Sequence, residues 1–312
     1  MDILITGGTG FIGTALTTAL TAADEQGRRH RITVLTRQPE KLLARRAELV
    51  RLGVLEAVRH WDELSRERRF DAVINLAGEG IADRPWTTAR KRQLHASRIT
   101  LTESLADWIR LARHKPAVLI SGSAVGWYGS QDDTVLEEGD APHDEYVHQL
   151  CAEWEQAALA VEPLGVRVCL LRTGVVIGPG GGFLRRLLPV FTLGLGGALG
   201  HGNQYLSWVS LTDVVQIIQF LLADPAQRGV FNVTGPRPVS NNEFTATLGG
   251  LLRRPAFLRV PASVIRLAMG EMSTLLLDGQ RVVPSRLLAA RYRFTHPTLE
   301  SALRAALARQ SA

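Results

Sequence analysis

Seven residues near the N-terminus, Gly7 to Gly13, read G-G-T-G-F-I-G and follow directly on the apolar run D-I-L-I-T at residues 2–6. Glycines at this spacing have a chemical use when the segment joins a strand to a helix. Gly7 permits the tight turn, Gly10 lets the backbone approach a pyrophosphate, and Gly13 lets the helix pack close to the sheet. The helix N-terminus then offers unpaired N–H groups and a positive dipole to the phosphates. Thr9, Phe11 and Ile12 complete the loop. A bare glycine triad is a weak signal, but the strand before it and the amphipathic stretch from Phe11 to Ala22 after it agree with a dinucleotide site. The next apolar run, Ile32 to Leu35, leads to Arg37 and Gln38, with no carboxylate before Glu40. A carboxylate there accepts a ribose 2′-hydroxyl, whereas a cation accommodates a 2′-phosphate, so Arg37 favours NADP(H) over NAD(H). Lys41 stands close enough in sequence to assist.

These residues need a parallel sheet beneath them, and the chain alternates accordingly. Ala72 to Leu76, a helix from about Thr87 to Arg113, Ala117 to Ser121, a helix from about Glu145 to Glu162, and Val166 to Arg172 follow in turn. With Val230 to Val233 later in the chain, six strands suit an α/β fold built on a Rossmann-type doubly wound parallel sheet, with a smaller, mostly helical C-terminal region on the substrate side. Beyond Arg172 the rhythm changes. Residues 174–202 are rich in glycine, but the interleaved Leu, Phe and Val and a short helix near Phe183 to Phe191 read as a folded cover rather than a linker. Helices at Leu211 to Ala223 and Asn241 to Leu252, a long helical stretch reaching Leu277 and a last helix after Pro297 complete the pattern. The expected organisation is an NAD(P)-binding domain at 1–173, a lid mixed with returning Rossmann elements at 174–254, and a small C-terminal domain at 255–312.

Further motifs lie in a telling order: N-L-A-G at 75–78, S-G-S-A-V-G-W-Y-G at 121–129, L-R-T-G-V-V-I-G-P at 171–179 and S-W-V-S-L-T-D-V-V at 207–215. Together with the glycine loop they resemble the extended short-chain dehydrogenase/reductases of nucleotide-sugar epimerase type. A-G-E-G-I-A-D-R-P-W at 77–86 and the following S-R-I narrow the resemblance to the "epimerase family" branch, which carries a small C-terminal domain of unknown function. The resemblance implies that Leu76, Ala77 and Gly78 line the cofactor beside Gly10, Phe11 and Ile12, and that Thr173 and Gly174 sit near the nicotinamide end. Arg98, on the helix after the third expected strand, is a candidate for a phosphate or substrate contact.

The resemblance also implies acid/base chemistry by a tyrosine and a lysine four residues later, aided by a serine or threonine. That pair is missing. Tyr146 has Leu150 at the required spacing, and alignment on C-A-E-W-E puts Val147 at the tyrosine position and Cys151 at the lysine position. Ser123 is the candidate catalytic hydroxyl, with Ser121 second, and Tyr128 is the other nearby phenol. A cysteine at position 151 reads as buried and structural unless its surroundings lower its pKa.

From Gly194 to Trp208 the chain combines backbone freedom with His201, Asn203, Gln204, Tyr205 and Trp208, side chains suited to covering a polar, ring-bearing ligand. Arg185 and Arg186 are the nearest cations for a diphosphate. The net charge is +6, from 36 Lys+Arg against 30 Asp+Glu. The arginines of 28–51 and of the tail alternate with Leu and Ala as on solvated helix faces, so no nucleic-acid partner is expected. Two cysteines, Cys151 and Cys169, without metal-motif spacing point to neither a disulfide framework nor a metal site. No apolar run reaches the roughly 20 residues that span a bilayer, and no secretory signal opens the chain, so no membrane partner and a cytoplasmic location are expected. The expected function is that of an NADP(H)-binding oxidoreductase or nucleotide-sugar-epimerase-like enzyme acting on a small molecule without the Tyr/Lys pair. The alternative is a catalytically silent dinucleotide-binding sensor or scaffold.

Overall fold

A computed structural model describes residues 1–308 of the chain. Its centre is a sheet of seven strands: β1 (Asp2–Thr6), β2 (Arg31–Leu35), β3 (Leu55–Val58), β4 (Ala72–Asn75), β5 (Val118–Ala124), β6 (Arg167–Thr173) and β7 (Gly229–Val233). Their order is β7-β6-β5-β4-β1-β2-β3, and every pairing is parallel. The chain therefore runs outward from β1 to β3 and restarts on the other side of β1 with β4. This reversal makes a topological switch point, and α/β sheets bind ligands at the carboxyl ends of the strands there. Ile3, Leu4 and Ile5 are wholly buried in succession, as strands covered on both faces must be.

One face packs against the helices Phe11–Thr21 and Leu211–Ala223 through Leu16, Leu20, Val214, Ile217, Ile218 and Leu221. The other packs against Leu101–Leu111 and Tyr146–Leu159 through Leu105, Trp108, Ile109 and Ala158. The Leu211–Ala223 helix starts at Ser210, whose hydroxyl accepts the Asp213 N–H at 2.9 Å. Asp213 in turn accepts the Thr295 and His296 backbone N–H groups at 2.7 and 3.1 Å. The S-L-T-D run thus caps a helix and pins the C-terminal segment to it.

Three expectations are corrected. The sheet has seven strands, because L-E-A-V at 55–58 pairs with β2; it is an edge strand buried only at Leu55, and so shows neither alternation nor a continuous apolar run. The helix expected over 87–113 contains a π-helical turn at Ala96–Thr100 between Thr88–His95 and Leu101–Leu111. The long helix expected to reach Leu277 stops at Met269, where Gly270 takes φ +57°, and resumes as a 3₁₀ turn and a short helix, Thr274–Leu277.

The glycine-rich segment is folded. Val175–Ile177 pairs with Trp208–Ser210, and Gly197–Leu199 pairs with Leu258–Val260, on either side of the Gly182–Thr192 helix. A Cβ on Gly178 or Gly182 would lie 3.0 Å from the Phe11 ring, and one on Gly181 would overlap it. The glycines therefore form a bed for the ring at the mouth of the first helix.

Candidate functional site

The glycine loop is built so that each glycine has a different reason to lack a side chain. Gly7 has φ +72°, and a Cβ there would meet the Leu76 carbonyl at 2.5 Å. A Cβ on Gly13 would overlap the Gly7 carbonyl oxygen. At Gly10, in contrast, a Cβ would meet only the Gly7 oxygen, at 3.2 Å, and the residue is exposed with ordinary extended backbone (φ −75°, ψ −179°). Nothing inside the protein requires a glycine at position 10; the requirement must come from outside it. Gly10 is also the N-cap of the Phe11–Thr21 helix, with no capping side chain and no acidic residue in the first turn, so the N–H groups there are left for an anion.

Around this loop the fold gathers several expected residues. Leu76 and Ala77 lie against Gly7. The Arg98 guanidinium packs over Gly78, 3.2 Å from where a Cβ would stand, donates to the Glu79 carbonyl at 2.8 Å and lies over the Trp154 ring at 5.3 Å. It is carried on the π-helical turn, the kind of irregularity often found at functional sites. Arg37 is 90% exposed and reaches within 3.6 Å of Glu79. Glu79 is itself paired with the buried Arg90, which holds its carboxyl below the usual range. Arg37 is thus an exposed cation that can turn toward a ligand, while Arg90 still balances Glu79. Thr173 ends β6 and Gly174 follows it; the Gly174 N–H donates to the Val233 carbonyl at 3.1 Å, and a Cβ on Gly174 would overlap the Ser207 carbonyl oxygen.

The candidate hydroxyls have other duties. Ser123 lies on β5, is 5% exposed and donates to Glu155 Oε1 at 2.6 Å. Glu155 forms a two-pronged ion pair with Arg172, with both distances 2.9 Å and side chains 8% and 4% exposed. Arg172 stacks on Trp127 at 3.3 Å. Ser121 Oγ accepts from Asn75 Nδ2 at 3.1 Å, within a buried network that also joins Thr6, Thr102 and Trp154. Tyr128 is wholly buried and donates to Asn232 at 2.7 Å, and burial raises its pKa. The expectation of Tyr128 as a catalytic phenol is corrected on this ground, since its hydroxyl faces the protein interior.

Val147 and Cys151, at the positions of the missing pair, are both buried, and a Cβ on Gly126 would lie 3.4 Å from Val147 Cβ and 4.0 Å from the thiol. Burial pushes the Cys151 thiol up to about 12. In the native protein it is expected to resist iodoacetamide near neutral pH and to react only after denaturation, because the thiolate is the reactive species. The raised pKa also fixes a sign: this contribution to stability is intact below about pH 9, the unfolded value, and is lost as pH rises toward 12. Thiol labelling of native and unfolded protein and alkaline unfolding curves check both points.

Tyr146 meets Trp86 edge-on at 5.0 Å and has Lys91 Nζ 4.3 Å from its ring centroid. Its hydroxyl is buried without a protein partner. Trp86, Val147 and Met272, with Ile81, Met269 and Leu275, form an apolar cluster that joins the loop after β4 to the C-terminal region. Arg186 is bound to Asp83 and to the Ala82 carbonyl, which takes it away from the diphosphate role; Arg185 stays exposed. Within the expected lid, Trp208 is core, donating to the Arg237 carbonyl at 2.9 Å, and Gln204 ties Leu199 to Leu276 through their carbonyls. His201 and Asn203 are exposed, and Tyr205 is half-buried under Arg281. Sequence reasoning missed Glu79, Arg90, Glu155 and Arg172 because their pairings cross from one element to another.

A doubly wound parallel sheet with a glycine loop at its switch point and the motif order given above defines a dinucleotide-binding fold of the short-chain dehydrogenase/reductase kind. Residues 3–234 match the NAD dependent epimerase/dehydratase family and residues 260–306 match a domain of unknown function, DUF1731. The chain belongs to the NAD dependent epimerase/dehydratase family. It is 43% identical over 308 residues to the epimerase family protein Mb2239 of Mycobacterium bovis, covering 96% of each chain. It is 36% identical over 311 residues to the epimerase family protein SDR39U1 of Mus musculus, covering 97% of this chain and 99% of the other. The human epimerase family protein SDR39U1, isoform 2, solved with NADPH, superposes with a TM-score of 0.85 at 33% identity over 98% of this chain and 99% of its own.

Proposed function

We propose that this chain binds NADPH on the Gly7–Gly13 loop and performs an oxidoreductase or epimerase-like reaction on a small molecule without a Tyr/Lys pair. The observation that carries the reading is Gly10, an exposed loop glycine that the fold itself does not need, set at a helix N-terminus beside an exposed Arg37. The human relative solved with NADPH supports the choice of cofactor. In this reading Arg37 takes the 2′-phosphate, Ala77 and Gly78 lie along the cofactor, and Arg98 reaches it or the substrate over Gly78. Replacing Arg37 by Asp is expected to weaken NADPH binding by about tenfold or more, since a charge-assisted phosphate contact is lost and a repulsion added. NADH binding should change far less, and parallel fluorescence titrations of both cofactors check the difference.

The chemistry at Ser123 is constrained by its hydrogen bond. Ser123 Oγ donates to Glu155 Oε1, which the Arg172 guanidinium also holds, so the serine proton is committed to that oxygen and Oγ has only lone pairs to offer a ligand. A substrate hydroxyl can donate to it; a substrate carbonyl gains nothing. With Val147 and a protonated Cys151 at the other two positions, the proton donor of a reductive step must come from elsewhere. The same observation favours the second reading, a dinucleotide-binding sensor or scaffold without turnover. A screen of NADPH oxidation and NADP⁺ reduction against carbonyl compounds, alcohols and nucleotide-sugars separates the two. The enzymatic reading expects turnover that falls more on Ser123→Ala than on Tyr146→Phe, the latter by only a few-fold against about 10²–10⁴ for a true general acid. Cofactor binding with no turnover of any compound leaves the sensor.

A further inference from the structure

Large apolar side chains stand out from the surface in two neighbouring segments of the C-terminal half. At the end of the Gly182–Thr192 helix, Val190, Leu193 and Leu195 are exposed, Leu193 by 74%. After the Asn241–Leu252 helix, Phe257 is 79% exposed, and Val264 and Leu267 follow on the Ala262–Met269 helix, Leu267 at 90%. The segments touch: a Cβ on Gly194 would lie 3.3 Å from the Pro255 ring, and Gly197–Leu199 runs parallel to Leu258–Val260.

The charges carried by these two segments have one sign. No Asp or Glu occurs from Phe244 to Gly270, whereas Arg253, Arg254, Arg259 and Arg266 are all exposed. From Leu187 to Thr212 there is no Asp, Glu, Lys or Arg at all. Arg253 moreover occupies the left-handed C-cap of its helix (φ +53°, ψ +43°), a place usually held by glycine or asparagine. The arginine is kept there at a conformational cost.

We propose that this face docks on an anionic phospholipid surface, with Phe257, Leu193 and Leu267 entering the headgroup boundary and the arginines pairing with lipid phosphates. The partner must be apolar and anionic at once, and side chains that project singly call for a deformable phase rather than a shaped groove. No helix among the described residues is long and apolar enough to cross a membrane, and a surface contact needs none. The inference is independent of the cofactor reading, because none of these residues touches the glycine loop.

Co-sedimentation with vesicles tests it. The full chain is expected to sediment with phosphatidylcholine vesicles containing phosphatidylglycerol, to stay in solution with phosphatidylcholine alone, and to be released by high salt. Changing Phe257 and Leu267 together to Ser should abolish sedimentation while leaving thermal stability and NADPH titration as in the parent, since both side chains are open to solvent. Each of Arg253→Gln, Arg254→Gln and Arg259→Gln should weaken binding about five-fold. A parent chain that ignores anionic vesicles, or a double variant that still binds them, overturns the proposal. So does a double variant that merely turns a larger species into a smaller one in sedimentation velocity, which would make the face a contact between copies of the chain.

Discussion

A Gly10→Val chain is expected to fold like its parent and to lose on the order of 100-fold or more in NADPH affinity. The two halves of this result come from different observations. Inside the protein a Cβ at Gly10 meets only the Gly7 oxygen, at 3.2 Å, and the backbone is extended, so a β-branched residue is accommodated by a small shift. Outside it, the same Cβ stands at the uncapped helix N-terminus, where a pyrophosphate must come within hydrogen-bonding distance of the N–H groups. Gly13→Val gives the contrast, because its Cβ would overlap the Gly7 carbonyl oxygen and break the packing of the first helix on the loop. Thermal unfolding separates the two variants: Gly10→Val should melt near the parent and Gly13→Val well below it. Equal melting of both, or unchanged affinity in Gly10→Val, would remove the physical basis assigned to the loop.

The largest stability effect is expected at the Glu155–Arg172 pair. Both side chains are nearly buried, two hydrogen bonds of 2.9 Å join them, and Glu155 also accepts the Ser123 proton. Removing one partner leaves a buried charge without compensation, so Arg172→Met is expected to cost about 3–5 kcal/mol in urea unfolding. The double change Glu155→Leu with Arg172→Met removes both charges and should cost less than Arg172→Met alone, a non-additivity that an exposed pair would not give. A loss below about 1 kcal/mol for Arg172→Met would assign the pair the worth of a surface bridge.

The contrast between these two sites explains what could be read from the sequence. The glycine loop is legible because its requirements are local: turn, close approach and helix packing are each satisfied within seven residues. Arg37 is legible for the same reason, since it follows directly on β2. The helices Leu211–Ala223 and Asn241–Leu252 are legible from their apolar period, and each opens on a serine cap. Strand β3 was hidden because an edge strand buried only at Leu55 leaves no periodic mark. The π-turn carrying Arg98 was hidden because an extra residue within a helix does not alter its composition. Tyr128 illustrates a different failure: W-Y-G looks like a phenol beside the serine motif, yet the chain turns at Gly129, with φ +66°, and its hydroxyl meets Asn232, 104 residues away. Ser123 was read as a free hydroxyl, but it lies on β5 and its proton is claimed by Glu155, on a helix whose sequence shows only an ordinary acidic residue.

The central claim is that the loop and Arg37 together form an NADPH site, and the direct test is to titrate the unaltered protein with NADPH and with NADH under identical conditions. Saturable binding, with NADPH held at least about tenfold more tightly than NADH, is the result predicted from a charge-assisted phosphate contact at Arg37. Equal affinity for the two cofactors, or binding of neither, would contradict it.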